Sequence, residues 1–302
     1  MNNELRQLFD NNNIIVRKIT LVNNVKIIDT GTDKFVIKKR IKETNDLFRY
    51  LKSRSFDNFP PIIYSTENYN IYNYIKDSPI EREEKLLDII KLASLLHNKT
   101  TFYREIDDDK YKELYENIIE RIDYLYNYYN DIIEIIEAQD YMSPSNYLFA
   151  RNISKLFASL DYSKYQINNW YQIIKDKKRV RVVNIHNNLR LDHYLFSDKP
   201  YLISWDKSKK DIPIYDLINL YKEYYKEIDF CDLFRIYEGN YPLLEEERYL
   251  LFSLLTIPDK LEFNENEFNL CKKIDKFYNY MTTTERLIND YFPFNEKLKN
   301  PT

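Results

Sequence analysis

The stretch Ile185–Phe196, IHNNLRLDHYLF, lies between two short apolar runs, VRVV before it and YLISW after it. Two of the three histidines of the 302-residue chain fall in this stretch, together with asparagine, arginine and aspartate side chains. Polar residues between two strands are typical of a functional loop, because the flanking scaffold positions them. The sequence therefore predicts a strand, a polar loop and a hairpin, and this loop is the first candidate site.

The composition excludes several classes of protein. A net charge of −3 provides no basic field for a phosphate backbone, so we expect no nucleic-acid partner. No apolar run approaches the roughly 18 residues of a membrane span, so we expect no membrane partner. The two cysteines match no metal-site spacing and are typical of buried thiols in a reducing cytosol, which predicts a cytoplasmic protein. The two glycines, Gly31 and Gly239, stand alone, which excludes glycine-rich phosphate loops.

The first 76 residues predict a mostly β region with one helix. Alternating apolar residues in IIVRKITLV, VKIIDT and KFVIKK predict a three-strand meander, with turns at Asn23-Asn24 and around Gly31. A helix is predicted over residues 43–54, and PPIIYS and IYNYI predict two further strands.

From residue 77 onward the apolar spacing changes to that of helices. EREEKLLDIIKLASLLHNKT and the segment from about 108 to 138 predict long helices. SPSNYLFARN predicts a helix start, with Ser143 as the cap and Pro144 at the first helical position. A hairpin is predicted at 181–207, and helices follow it. The fold class is therefore α+β.

The stretch from Val183 to Tyr221 resembles the aminoglycoside phosphotransferase and choline kinase superfamily, and is most similar to its spore-coat, CotS-type branch. The family's catalytic loop reads H-G-D-x-x-x-x-N, which resembles HNNLRLDH at 186–193. Its metal motif, I-D-[FW]-D, resembles ISWD at 203–206, and its D-L-A helix start resembles PIYDLINLY, where we expect Asp216 to cap the helix. LASLLHNKT, with His97, resembles the family's L-A-x-L-H helix end.

This resemblance implies a two-lobed protein-kinase-like fold, with a small β-rich N-lobe at 1–76 and a larger helical C-lobe at 77–302. It implies ATP and Mg²⁺ as weakly bound cofactors. Lys38 corresponds to the lysine that pairs with the nucleotide phosphates, and Asp206 to the aspartate that binds magnesium. The adenine would meet backbone groups of a hinge formed by Tyr72, Asn73, Tyr74 and Ile75. The acceptor pocket would lie within about 107–177.

Two positions depart from the family pattern. Asn188 occupies the position of the catalytic aspartate, and an amide cannot accept a proton from an acceptor hydroxyl. His193 occupies the position of the second metal ligand, although magnesium prefers oxygen. Asp192 is a candidate substitute as ligand or base. His186 completes the candidate catalytic residues, with a structural role against the metal-motif strand as the alternative.

These residues support more than one function. The first hypothesis is a divergent, nucleotide-binding kinase-fold protein with weak or lost phosphotransferase activity, a pseudokinase. The alternative is an active ATP-dependent phosphotransferase for a small hydroxylated molecule. A third interpretation is a helical interaction protein without kinase function. The expected partners are nucleotide and an unknown small molecule or protein, and Glu43 and Asp46 are both candidates to pair with Lys38.

Overall fold

The computed structural model describes residues 3–22 and 25–291. These residues form two compact units. The first contains the described residues up to Thr100 together with Asn184–Lys210, and the second contains Thr101–Val183 and the described residues from Asp211 onward. The predicted N-lobe of 1–76 falls within the first unit, which also includes the next helix and the candidate loop. The lobe boundary at residue 76 stays a prediction.

A five-stranded antiparallel sheet forms the first unit's β region, in the order β1-β2-β3-β5-β4. The predicted meander is confirmed by the antiparallel pairing of its first three strands. The predicted turn at Asn23-Asn24 lies outside the described residues, whereas Gly31 lies in a turn with a φ of 94°. The strands are β1 (Lys18–Val22), β2 (Val25–Asp29), β3 (Lys34–Lys39), β4 (Ile62–Ser65) and β5 (Tyr69–Asn73).

A short helix that is not among the predicted elements, α1 (Asn3–Asn11), accompanies this sheet. Its buried residues Leu5 and Phe9 form one apolar cluster with Ile28, Ile37 and Ile71 of three strands. The expectation of a single helix in this region is therefore wrong. Because side chains alternate along a strand, the residues next to Ile37 and Ile71 lie on the other face of the sheet, away from this cluster.

Two more helices and a hairpin complete the first unit. The hairpin is anchored because the Tyr194 hydroxyl donates to Asp88 over 2.7 Å, and the Phe196 amide donates to Asp77 over 2.9 Å. The Leu202 amide also donates to the Asn58 carbonyl over 2.9 Å. These elements are α2 (Asn45–Ser53), α3 (Arg82–Thr100), β8 (Tyr194–Phe196), β9 (Pro200–Leu202) and two 3₁₀ turns, Leu191–His193 and Trp205–Lys207.

The second unit is mainly helical, as the sequence predicts. The Ser143 side chain accepts a hydrogen bond from the Asn146 amide, and Pro144 opens the helix behind it, which confirms the predicted helix start. Phe102 pairs with Val182 in a short antiparallel ladder. The remaining elements are β6 (Phe102–Glu105), α4 (Asp108–Glu137), α5 (Pro144–Arg151), α6 (Ile153–Ile174), β7 (Arg179–Ile185), β10 (Lys209–Asp211), α7 (Ile214–Tyr224), α8 (Phe230–Asn240), α9 (Glu245–Thr256) and α10 (Glu267–Tyr291).

Many tyrosines of the second unit are structural. The Tyr129 hydroxyl accepts from the Leu261 amide over 2.8 Å, and the Tyr278 hydroxyl donates to the Phe149 carbonyl over 2.8 Å. Both rings are buried, so these bonds satisfy polar groups that would otherwise be costly inside the protein. Among the helices of residues 3–22 and 25–291, none combines the length and apolar character needed to cross a bilayer.

Candidate functional site

The candidate loop begins with a backbone conformation that explains its second residue. Asn187 has a φ of 57°, in the left-handed region that asparagine tolerates better than most residues other than glycine. The family pattern H-G-D has glycine at this position. The Asn187 side chain also donates to the Lys207 carbonyl over 3.3 Å, which ties the loop to the segment after the candidate metal motif. The assignment of Asn188 to the catalytic-base position stays a prediction.

His186 is completely buried behind the loop. Its Nε2 lies 3.0 Å from the Ile203 carbonyl oxygen, and because a carbonyl only accepts, Nε2 carries the proton. The imidazole ring meets the Trp205 ring edge-on, with centroids 4.6 Å apart. These contacts support the structural alternative for His186 over direct participation in catalysis.

Trp205 fixes the position of the candidate metal motif within the first unit. Its ring meets the rings of Phe48, Phe56 and Phe59 edge-on, with centroids 6.0–6.2 Å apart. Its Nε1 donates to the Leu202 carbonyl over 2.7 Å, so the polar handle of this buried side chain is satisfied. We call Phe48, Phe56 and Phe59 the phenylalanine cage. Since Asp206 follows Trp205 directly, the cage also restrains the position of this carboxylate.

The Lys38 ammonium and the Asp206 carboxylate form a direct ion pair. Lys38 follows the core residue Ile37 along β3, so its side chain lies on the face of the sheet opposite the α1 cluster. The side chains of Lys38 and Asp206 are 26% and 22% exposed, which leaves both reachable from solvent. The structure thus brings together the predicted phosphate-binding lysine and the predicted metal-binding aspartate.

Tyr72 lies on the same sheet face as Lys38, since its neighbour Ile71 faces the α1 cluster. Burial raises the pKa of the Tyr72 hydroxyl, and the negative charge of Asp206 raises it further, against a hydrogen bond from Asn70 that lowers it. The Asn70 amide lies 3.4 Å from that hydroxyl. The Tyr72 hydroxyl therefore stays protonated beside the ion pair at neutral pH.

The four predicted hinge residues do not share one environment. Tyr72 and Asn73 belong to β5, where they pair with β3. The Tyr74 amide donates to the Lys34 carbonyl over 3.0 Å, so it extends the sheet by one hydrogen bond. Ile75 is the first of the four beyond this ladder. The adenine-binding role of the segment stays a prediction.

The remaining candidate residues form a second group within the loop. His193 Nδ1 lies 2.8 Å from the Asn188 carbonyl oxygen, so this nitrogen carries a proton. Asp192 is 67% exposed and pairs with Arg190 over 3.2 Å, while the His193 Nε2 lies 4.0 Å from its carboxylate. Asp192 thus faces solvent in an ion pair of its own loop.

The two predicted metal ligands, Asp206 and His193, do not suit magnesium equally well. Mg²⁺ prefers an octahedron of oxygen ligands. Within residues 3–22 and 25–291, no three His, Cys, Asp or Glu side chains gather in a group that could hold a metal ion. Asp206 is already neutralised by Lys38, and His193 would contribute a nitrogen. The arrangement fits a phosphate at Lys38, but it does not fit a preformed magnesium site.

Three expectations need correction. An acidic partner for Lys38 was expected from Glu43 or Asp46, but among the ion pairs of the described residues Glu43 pairs with Arg40 and Asp46 with Arg49. Both are held by arginines of their own segment, so Asp206 takes their place. Asp216 was expected to cap its helix, but Pro213 holds that position and Asp216 lies buried in the first turn. Cys271 is only partly buried, unlike Cys231.

The element order, the sheet and the loop define a protein-kinase-like fold. Solved structures agree with this class of fold. An aminoglycoside phosphotransferase from Alicyclobacillus acidocaldarius is similar to 91% of this chain over 92% of its own length, with a TM-score of 0.66 and 9% sequence identity. An AMP-bound spectinomycin phosphotransferase is similar to 93% of the chain over 98% of its own length, with a TM-score of 0.52 and 12% identity.

At these identities the likeness shows the fold alone, which is the kinase-like fold of the aminoglycoside phosphotransferases. No protein-family model matches the sequence, and no curated protein matches it. The confirmed fold class is α+β, with a small antiparallel sheet in the N-terminal region and a larger helical part.

Proposed function

We propose that this chain is a divergent kinase-fold protein that binds a nucleotide and whose phosphotransferase activity is weak or lost. The observation that carries the proposal is the Lys38–Asp206 ion pair beside a loop with Asn188 at the catalytic-base position. The spore-coat branch, a cytoplasmic location and a small-molecule or protein partner belong to the same proposal.

Lys38 supplies the attraction for the nucleotide. A lysine ammonium is a point charge that binds phosphate, and the partial exposure of Lys38 lets a phosphate reach it. In the free protein Asp206 already satisfies this charge. A nucleotide must therefore displace the carboxylate, and the cost of breaking that pair makes the binding weak.

Asn188 limits the chemistry. An amide side chain cannot accept a proton from an acceptor hydroxyl at neutral pH. Losing a positioned general base costs on the order of 10²–10⁴ in rate, which leaves slow transfer physically accessible. The described residues hold no preformed magnesium site, so Asp206 would become available to Mg²⁺ only after a nucleotide displaces it from Lys38; the ion would then neutralise phosphate charge.

A second candidate function, an active phosphotransferase for a small hydroxylated molecule, is favoured by Asp192. This carboxylate is exposed and lies in the loop itself. It would accept the proton of an acceptor hydroxyl in place of Asn188, provided that it leaves Arg190. Kinases turn over at about 1–100 s⁻¹, so a rate in this range would favour this function.

A titration with ATP, ADP and AMP, with and without Mg²⁺, tests the proposal. The chain offers a matched pair of variants, Lys38→Met and Lys39→Met, since the two lysines are neighbours on β3 and Lys39 is exposed. We expect Lys38→Met to lose nucleotide binding and Lys39→Met to keep it. Equal binding by both variants would refute the assignment of Lys38. Turnover by the parent at an ordinary kinase rate would refute weak or lost activity and leave nucleotide binding intact.

A further inference from the structure

A cavity of about 320 Å³ lies within the first unit, beside α2. It is distinct from the Lys38–Asp206 pair, because different side chains line it. Its size suits a compact ligand, since pockets for small molecules begin near 300 Å³. The lining residues are Lys42, Asp46, Leu47, Tyr50, Asn184, Ser208, Lys209 and Lys210.

The lining is predominantly cationic. Three lysines face one carboxylate, Asp46, which is itself held by Arg49 over 3.2 Å. The Lys42 ammonium donates to the Ser208 carbonyl over 2.6 Å, and the Lys210 ammonium lies 5.8 Å from the centre of the Tyr50 ring. Two ammonium groups are therefore placed against residues of the cavity wall, which favours an anion over a neutral or cationic ligand.

Asn184 adds an independent observation. It is 2% exposed, and its backbone amide donates to the Thr100 hydroxyl over 3.1 Å. Its side-chain Nδ2 is buried and, among the described residues, has no hydrogen-bond partner. Buried donors without a partner are rare because they cost free energy, so each one calls for an explanation. An anion in the cavity that Asn184 lines would supply the missing acceptor.

Asp46 and Leu47 in the first turn of the nine-residue helix α2 line the cavity. The dipole at a helix start favours negative charge, and the Glu43 carboxylate already accepts from the Asn45 amide there over 3.1 Å. The case for an anion therefore rests on the lysines and on Asn184. Leu47 and the Tyr50 ring add an apolar surface against which a small neutral body can pack.

We propose that this cavity binds a small phosphate monoester, with the phosphate at Lys42, Lys210 and Asn184 and a compact body of about sugar size against Tyr50. The lysines match the dianion that a phosphate monoester carries above its second pKa. The site is separate from the nucleotide site proposed above, and its occupant needs no magnesium.

Calorimetric titration of the full chain with ribose 5-phosphate tests the proposal, with inorganic phosphate and ribose as the two partial probes. The titrations are run at about pH 8, where the monoester is a dianion, and at constant ionic strength set with KCl. We expect ribose 5-phosphate to bind more tightly than inorganic phosphate, and ribose not to bind. Absence of binding by both ribose 5-phosphate and inorganic phosphate, or an equal heat signal when KCl alone is titrated, would overturn the proposal.

Variants locate the binding. We expect Lys42→Met and Asn184→Asp each to lower the affinity for ribose 5-phosphate by about tenfold. Lys42→Met loses a charge-assisted hydrogen bond to the phosphate, and Asn184→Asp loses a buried one. Lys210→Met is an exposed substitution that should not disturb folding, and we expect it to weaken ribose 5-phosphate binding as well. Lys26→Met on β2 is the matched control and should bind ribose 5-phosphate as the parent does. Circular dichroism confirms that each variant is folded.

Lys38→Met separates this site from the nucleotide site. We expect it to keep ribose 5-phosphate binding and to lose ATP binding, and Lys42→Met to show the reverse. Loss of the monoester in Lys38→Met with full retention in Lys42→Met would overturn the cavity proposal while leaving the proposed function standing. If both variants keep ATP binding, only the proposed nucleotide site is contradicted.

Discussion

The Lys38 ammonium contacts the Asp206 carboxylate directly, although the two residues are 168 positions apart in the sequence. The pair joins the end of β3 to the segment just after Trp205. Both side chains are partly exposed, so solvent weakens the interaction and a competing ligand can reach either charge. A charged ligand can therefore exchange with one partner of this ion pair, a phosphate replacing Asp206 at Lys38 or a cation replacing Lys38 at Asp206.

The first prediction concerns this exchange in the absence of metal. Asp206→Asn removes the negative charge that competes with phosphate for Lys38. We expect the variant to bind ATP in EDTA roughly fivefold more tightly than the parent, since an exposed pair contributes about 1 kcal/mol. Fluorescence titration with a labelled ATP analogue measures the change. Asp192→Asn is the matched control, and an equal gain in both variants would show that the effect is only one of net charge.

The second prediction concerns magnesium. We expect any gain in ATP affinity on adding Mg²⁺ to disappear in Asp206→Ala and to persist in His193→Ala. A carboxylate suits a hard cation and an imidazole does not, and His193 already donates through Nδ1 to the Asn188 carbonyl. Thermal-shift titrations with ATP and Mg²⁺ on the parent and both variants measure this. The ranking of the two ligands fails if both variants lose the gain equally.

The third prediction concerns the catalytic base. Asn188→Asp is nearly isosteric at a partly exposed position, so we expect little change in stability. If nucleotide and metal bind, the restored carboxylate should raise ATP turnover by up to the roughly 10²–10⁴ attributed to a positioned base. A coupled assay of ADP release measures it, with Asn187→Asp as the control in the same loop. A parent already as fast as Asn188→Asp would argue against this position and make Asp192 the next residue to change.

The fourth prediction concerns the left-handed backbone at Asn187. A β-branched residue is strained at a φ of 57°, so Asn187→Val should destabilise the protein by about 1–2 kcal/mol. Asn187→Gly should be close to neutral or stabilising at this position. Urea unfolding of the two variants measures the difference. Similar stability of both would mean that the loop does not require this conformation.

The fifth prediction concerns the phenylalanine cage. Replacing Trp205 by alanine leaves a cavity among Phe48, Phe56 and Phe59, and should cost about 3–5 kcal/mol of unfolding free energy. Trp205→Phe should lose less, because the ring contacts are partly kept. Far-UV circular dichroism during urea unfolding measures both. A loss below about 1 kcal/mol in the alanine variant would show that the cage does not hold the motif in place.

The sequence predicts the strands and helices well where their apolar pattern is long and regular. The apolar pattern of KFVIKK was enough to predict the strand that the structure forms at Lys34–Lys39. The helix α1 was not predicted because it is short and ends in a run of polar residues. Its signal was the spacing of Leu5, Leu8 and Phe9, which matches one helical face.

The site was predictable only where a motif marked its residues. Lys38 and Asp206 were named from the family pattern, but periodicity cannot reveal that they touch, because tertiary packing brings their segments together. The acidic partner was expected nearby in sequence, and local arginines had already neutralised Glu43 and Asp46. The phenylalanine cage was missed because its rings come from a helix and the loop after it, with no regular spacing.

The position of Trp205 gives this protein an intrinsic optical reporter. The chain has two tryptophans, and the other, Trp170, is buried in the helical second unit. In a Trp170→Phe background the emission would come from the indole next to Asp206 alone. A ligand that separates Lys38 from Asp206 would then change the wavelength or intensity of the Trp205 emission. Binding could therefore be followed in real time on the unlabelled protein.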